Sequence, residues 1–231
     1  MSAHANDGKT PRLRNSLAAL AVFAAWAGLS GLALLSACSS PPSGFYTLVG
    51  GVPPSHTRST APPMLMIDVA AVDVPAQVAR TAFVVQADAN RVNVLEQTRW
   101  ASLPADEIRL ALSQELAERL DTLDVSRSPR PAGVPIYRVH VSVQRFESWP
   151  GSHALIDAVW SVRALSGDAA LTCRSVVSES VGAGNDALVA GHRKALQQMS
   201  ADIAGGIRAL DAVARAHRLA PRQAPLPCAA Q

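Results

Sequence analysis

The sequence predicts an α+β fold, in which two amphipathic helices pack on one face of a mostly antiparallel sheet within a single domain. Apolar and polar residues alternate through three segments, 136–146, 155–165 and 171–181, which is typical of strands with one buried face. Apolar residues recur every three or four positions through two other segments, which begin at Pro104 and Asn185. A sheet with one apolar face requires an apolar cover, and the two helices provide it.

Four further strands are predicted ahead of the first helix. They are marked by β-branched and aromatic residues or by alternation, and they cover 45–49, 64–74, 81–86 and 91–95. Residues 50–63 include four prolines and predict an exposed loop. The tetrapeptide at 87–90, Ala-Asp-Ala-Asn, predicts the turn of a hairpin between the last two of these strands.

Each predicted helix has an apolar stripe. Pro104 suits a first helical turn, and Asp106 and Glu107 lie where the helix dipole favours acidic side chains. The stripe of the first helix is Ile108, Ala111, Leu112, Leu116, Leu120 and Leu123. The second helix is predicted over 185–210, and its stripe is Leu188, His192, Ala195, Leu196, Met199, Ile203, Ile207 and Leu210. The glycine pair at 205–206 weakens the end of this helix.

The N-terminal segment predicts a removable signal peptide, which sets the domain organisation. A short region with three basic residues precedes a nearly continuous apolar run at 17–35, as in secretory signals. The run is long enough to span a bilayer, which takes about 20 apolar residues, but no basic cluster follows to hold it there. The predicted parts are 1–37 (signal peptide), 38–63 (N-terminal cysteine, first strand and loop), 64–214 (folded domain) and 215–231 (disordered tail).

Four residues at the end of the apolar run, Leu35, Ser36, Ala37 and Cys38, resemble the bacterial lipobox. In that motif signal peptidase II cuts before the cysteine, whose sulfur carries a diacylglyceryl group and whose amino group carries a further acyl chain such as palmitate. A single acyl chain binds a membrane weakly, whereas two or three anchor a protein stably. The resemblance implies lipid attachment at Cys38, and Ser39 in place of an aspartate favours the outer membrane. The alternative is an ordinary secretory cleavage in which Cys38 takes no part.

The chain has three cysteines: Cys38, Cys173 and Cys228. If Cys38 carries lipid, the other two remain in a compartment that permits disulfides. Two interpretations stay open at this point. Cys173 and Cys228 form a disulfide that ties the tail to the sheet, or Cys173 is a buried free thiol.

No pattern in the sequence predicts a catalytic residue, a metal site or a cofactor beyond the lipid on Cys38. The formal net charge of +3 includes the cations of the signal peptide, and no basic run indicates nucleic acid. Residues 182–187 match a dinucleotide fingerprint, but no strand is predicted after the helix that they open. Ser152, His153 and Asp157 are the residue types of a hydrolase triad, but no nucleophile elbow accompanies them.

Two tryptophans stand at junctions between predicted segments, Trp100 and Trp149. Large aromatic side chains pack in cores, and they also contact partners and the interface of a membrane. Both interpretations are kept for these two residues.

Several short motifs follow the lipobox in a recognisable order. They are Phe45-Tyr46-Thr47-Leu48, Ile67-Asp68-Val69 running into Val74-Pro75, Arg99-Trp100 before a helix, the strand at 139–146 and the strand at 155–160. In this order they resemble the ABC-type transport auxiliary lipoprotein family, of which the paraquat-inducible protein C lipoprotein is the best-known type. The resemblance covers nearly all of 38–210, and the proline-rich loop at 50–63 departs from it by its length.

The resemblance implies an outer-membrane lipoprotein that faces the periplasm. It would anchor and dock the conduit of an intermembrane lipid-transport system that contains a mammalian-cell-entry-type bridging protein. The implied partners are outer-membrane lipid, the bridging protein and further copies of the chain in a homo-oligomeric ring, and they do not include nucleic acid. The alternative function is a lipoprotein that activates or assembles a periplasmic cell-envelope enzyme.

Overall fold

Two sheets and two helices make up the part of the chain that the structure, a computed structural model, describes: residues 43–50 and 63–219. In chain order the elements are β1 (Gly44–Tyr46), β2 (Met66–Val69), β3 (Ala82–Gln86), β4 (Val92–Trp100), α1 (Pro104–Arg119), β5 (Ile136–Trp149), β6 (His153–Ala164), β7 (Ala170–Ser180) and α2 (Asn185–Leu219). Helices and strands thus share the domain without strict alternation, and the predicted α+β class is confirmed.

The larger sheet has four strands in the order β2-β5-β6-β7. Its last three strands form an antiparallel meander, as predicted, and β2 joins β5 in parallel. Two glycines in left-handed backbone conformations make the turns of the meander: Gly151 has a φ of 69° and Gly167 a φ of 136°. Every second side chain on β6 is buried towards α2, which lies across β6 and β7.

A second, three-stranded sheet with the order β1-β4-β3 differs from the single sheet that was predicted. β4 continues to Trp100, five residues beyond its predicted end at residue 95. The extension pairs with β1 in parallel, with Phe45 opposite Arg99 and Tyr46 opposite Trp100. Exposed and buried residues do not alternate along β4. The sequence of its second half therefore lacks the alternation of apolar and polar residues that predicts a strand.

The helices differ from prediction at their C-terminal ends. α1 ends at Arg119, and Leu123, which was assigned to its stripe, is 41% exposed. α2 runs to Leu219, nine residues beyond its predicted end at residue 210, so that 215–219 of the predicted tail are helical. The remainder of the tail lies outside the described residues.

An aromatic cluster joins the two sheets to α2. Trp100 stacks on Phe83 with 4.5 Å between ring centroids, and its ring lies 6.0 Å from Phe146. Phe146 in turn stacks on His192 of α2 at 4.1 Å. All four side chains are buried, so the cluster holds β3, β4, β5 and α2 in one core.

Candidate functional site

The predicted anchor and the tail cysteine lie outside the described residues. They are Leu35, Ser36, Ala37, Cys38 and Cys228, and their roles therefore stay predictions. Cys173 is described: it is 8% exposed on the inward face of β7, and it is disulfide-bonded. The pairing with Cys228 is not among the described contacts, so that partner remains a prediction.

Trp100 and Trp149 occupy very different surroundings. Trp100 is 3% exposed within the aromatic cluster, which leaves it no surface for a partner. Trp149 is partly buried at the tip of the β5–β6 hairpin, where it stacks on His153 with ring centroids 5.5 Å apart. Its indole nitrogen Nε1 donates to Glu147 Oε2 at 2.9 Å. Trp149 is therefore the one of the two that a partner could reach.

Trp149 belongs to a sheet surface that faces away from α2, which we call the hairpin face. It is formed by Arg145, Glu147, Trp149, His153, Asp157 and Arg174. The register places Arg145 opposite Asp157 and Trp149 opposite His153. A β-bulge between Val143 and Arg145 shifts the alternation of β5, and this shift brings Arg145 and Glu147 to the outer face.

Charges on the hairpin face are paired by forked hydrogen bonds. Arg145 donates to both carboxylate oxygens of Glu147 at 2.7 and 3.0 Å, and Arg174 does the same to Asp157 at 2.8 and 2.7 Å. The bonds from Arg145 lower the pKa of Glu147, and those from Arg174 lower the pKa of Asp157. Both carboxylates thus stay ionised, and the surface presents fixed, matched charges around one aromatic side chain.

This arrangement does not form the triad whose residue types the sequence contains. Ser152 Oγ lies 2.9 Å from His153 Nδ1, but the carboxylate of Asp157 is engaged by Arg174. The dinucleotide-like run at 182–187 is a turn from β7 into α2, with Gly184 at a φ of 92°, and no strand follows α2 among the described residues. The hairpin face therefore offers charged and aromatic side chains as contacts to another molecule.

His192 lies on the face of α2 that packs into the core of the domain. It is fully buried and stacked on Phe146, and its Nε2 lies 2.8 Å from Ser148 Oγ. Burial lowers the pKa of His192 to about 3. The imidazole is therefore neutral at every pH near neutrality.

This histidine should make the fold sensitive to mild acid. The unfolded chain protonates His192 below about pH 6.5, whereas the folded chain does not. The neutral imidazole therefore contributes fully to the free energy of unfolding above that pH, and this contribution is lost as the pH falls. We expect the free energy of unfolding to drop by about 1 kcal/mol between about pH 7.5 and pH 5.5 on this account. Urea unfolding of wild type and His192→Gln at the two pH values measures the difference.

The control is His140→Gln, because the side chain of His140 is 51% exposed. That variant should keep the acid-side loss of stability, whereas His192→Gln should lose most of it. An equal pH dependence in wild type and His192→Gln would contradict the assignment.

Two charged residues of α1 are buried, which the sequence pattern does not predict. Glu107 is 3% exposed and accepts four hydrogen bonds from the segments on either side of it in space, and Arg109 is 8% exposed. The acidic first turn was recognisable as a helix start, but nothing local indicates the burial of either side chain.

Neither described helix is apolar enough over a sufficient length to cross a bilayer. In 43–50 and 63–219, no group of three histidine, cysteine, aspartate or glutamate side chains is placed to hold a metal ion.

The fold and the hairpin face define a small α+β domain with a charge-paired, accessible sheet surface. The chain belongs to the ABC-type transport auxiliary lipoprotein family, because the model of the ABC-type transport auxiliary lipoprotein component matches residues 46–204. The resemblance seen in the sequence is thereby confirmed.

Two solved structures share the fold at low sequence identity. One, described as an uncharacterized protein, is 19% identical with a TM-score of 0.57, covering 72% of this chain and 99% of its own. The other is protein XCC0632 from Xanthomonas campestris, of the DUF330 family, at 14% identity and a TM-score of 0.54, covering 75% of this chain and 96% of its own. No curated protein matches the chain.

Proposed function

We propose that this protein is an outer-membrane lipoprotein of an intermembrane lipid-transport system that contains a mammalian-cell-entry-type protein. In this role it anchors and docks the transport conduit at the periplasmic face. The observation that carries the proposal is the family match over 46–204, which begins eight residues after the lipobox cysteine.

The distance between anchor and domain supports a role at the membrane surface. Six residue steps separate Cys38 from Gly44, the first residue of β1. A fully extended chain spans about 3.3 Å per residue, so this tether reaches about 20 Å at most. A protein lipidated at Cys38 would hold its domain against the membrane, where a conduit that crosses the periplasm must end.

The hairpin face is the part of the described surface that best suits a protein partner. Partner surfaces are enriched in tryptophan and arginine, and Trp149 and Arg145 both lie here. The forked ion pairs hold these side chains in place, which lowers the entropy cost of binding. The partner proposed for this face is the bridging protein.

Cys38→Ala tests the anchor. We expect the variant to leave the membrane fraction and to fail to restore envelope lipid transport to a strain that lacks the protein. Fractionation, mass spectrometry of the N-terminus and sensitivity to detergents measure these effects. Ser40→Ala, which leaves the lipobox intact, is the control, and full transport by Cys38→Ala would refute the proposal.

Affinity capture after crosslinking distinguishes the proposal from the alternative. Recovery of a mammalian-cell-entry-type protein supports the docking role. Recovery of a cell-wall synthase without such a protein would instead favour the activator or assembly factor of a periplasmic enzyme.

A further inference from the structure

A second polar region lies between α1, the end of β2 and the start of β5, away from the hairpin face. It is a cleft of about 320 Å³, which we call the arginine cleft. Val69, Ala70 and Ala71 form part of its wall. Its polar side chains are Asp68, Asp106, Arg109, Ser126, Arg127 and Arg138. Three of these six side chains are arginines. The cleft can bind an anion if their guanidinium donors are not already paired within the protein.

Arg109 is buried, and its side chain makes no hydrogen bond to any of the residues that the structure describes. Its side chain is 10% exposed, its Nε has no partner, and its nearest carboxylate oxygen, Asp124 Oδ2, lies 3.9 Å from Nη1. That distance is too long for a hydrogen bond. A buried Nε–H group without an acceptor is costly, because the group has lost water without gaining a partner.

Asp124 is held away from hydrogen-bond distance of Arg109 by its bonds to other groups. Its Oδ1 accepts from the backbone nitrogens of Val69 and Ser126 at 3.2 and 2.9 Å, and its Oδ2 accepts from Ser113 Oγ at 2.6 Å. These bonds hold the loop after α1 against β2. The carboxylate is therefore a structural group, and Arg109 is left facing the cleft with its charge only loosely balanced.

The other two arginines also have N–H groups without a hydrogen-bond acceptor among the described residues. Arg127 is exposed and has no ion pair or side-chain hydrogen bond among the described contacts. Arg138 donates through Nε and Nη2 to Asp68, at 3.2 and 2.8 Å, and its Nη1 remains. Asp68 is shared with Arg130 at 2.6 Å, so one carboxylate balances two guanidinium groups.

We propose that the arginine cleft binds a phosphate group, held by Arg109, Arg127 and Arg138. Each non-bridging phosphate oxygen can accept from more than one donor, so even the two of a phosphate diester can be shared among three guanidinium groups, whose forks fit phosphate oxygens in pairs. Asp106 also lines the cleft and is exposed, and it disfavours a strongly charged anion, which suits a phosphate diester. The proposal goes beyond the docking role and does not depend on it.

The phosphate could belong to a lipid headgroup or be free in solution, and two probes separate these sources. Calorimetric titration of the detergent-solubilised full-length protein uses inorganic phosphate in one arm and short-chain phosphatidylglycerol in the other. Binding of both supports a site for the phosphate group alone. Binding of the phospholipid alone supports a headgroup site.

Arg127→Ala and Arg109→Met test the assigned residues. Loss of one charge-assisted contact should weaken binding by about tenfold in either variant. Arg109→Met also removes the ion pair with Asp124, so urea unfolding of this variant is measured beside its binding to show that it is folded. Arg91→Ala is the control, since Arg91 is 78% exposed on another turn and should bind within about twofold of wild type.

The proposal fails if neither probe shows saturable binding to the wild type. It also fails if Arg127→Ala binds as tightly as Arg91→Ala. Because Arg127 is exposed, this second comparison does not depend on how the Arg109 variant folds.

Discussion

Glu107→Ala is expected to lower the free energy of unfolding by about 4 kcal/mol, the largest effect that we predict for a single substitution. The carboxylate lies in the first turns of α1 and is 3% exposed. Its burial would be unfavourable without partners, and the structure supplies them from two other segments of the chain.

Four donors converge on this one carboxylate. Oε2 accepts from Thr47 Oγ1 at 2.7 Å and from the backbone nitrogen of Leu48 at 2.8 Å. Oε1 accepts from the backbone nitrogen of Ser102 at 3.1 Å and from its Oγ at 2.7 Å. Glu107 therefore ties the residues that follow β1 to the start of α1, and alanine would leave all four donors without this acceptor.

The estimate counts the two backbone groups, because the hydroxyl groups can rotate towards other acceptors. A buried donor without an acceptor costs about 1–3 kcal/mol, and loss of a negative charge near a helix N-terminus adds about 0.5 kcal/mol. Urea unfolding monitored by tryptophan fluorescence measures the change. Glu118→Ala, an exposed position on the same helix, should change stability by less than about 0.5 kcal/mol.

Glu107→Gln separates charge from shape. The amide keeps one acceptor oxygen and directs its NH₂ group at donors, so we expect a loss of about 2 kcal/mol. A loss as small as that of Glu118→Ala would show that the carboxylate does not hold the two segments together.

The parts of the fold that the sequence predicts are those whose signals are local. In β6 the alternation from Ala158 to Ala164 reflects one face against α2, and the turn at Gly167 is marked by its neighbours. The start of α1 is marked by Pro104. Each of these signals lies within a few residues of the structure that it predicts, so no knowledge of the rest of the chain is needed.

The parallel pairings have no such signal. β1 meets β4 across more than 50 residues, and β2 meets β5 across about 70, so neither pairing is marked by a turn. The division into two sheets follows from these pairings. Because no local signal marks these pairings, the sequence predicts one sheet where the structure has two.

Site residues also divide into those with a local sequence signal and those that depend on contacts between distant segments. The predicted lipobox is a contiguous motif, so predicting it needs no structure. The hairpin face depends on the bulge before Arg145, and the arginine cleft depends on the place where the loop containing Arg127 returns to β2. Contacts of this kind join segments that are far apart in the chain, and one sequence alone does not specify them.

The second large prediction concerns the glycines of α2. The sequence does not distinguish them, but the structure does. Gly191 packs against the sheet: a Cβ added there would lie 2.4 Å from Val181 Cγ1 and 2.9 Å from Ala154 Cβ. Gly205 faces open space, with nothing within 4 Å of an added Cβ. The first glycine lets the helix approach the sheet, whereas the second only lowers helix propensity.

Alanine at these two positions should therefore act in opposite directions. Overpacking of a core costs up to about 3 kcal/mol, and alanine recovers about 1 kcal/mol of helix propensity, so Gly191→Ala should destabilise the protein by about 2 kcal/mol. Gly205→Ala should stabilise it by about 1 kcal/mol. Thermal and urea unfolding of the two variants measure a difference of about 3 kcal/mol. Equal shifts would mean that α2 can move away from Ala154 at no cost, and that the close approach at Gly191 does not hold the helix on the sheet.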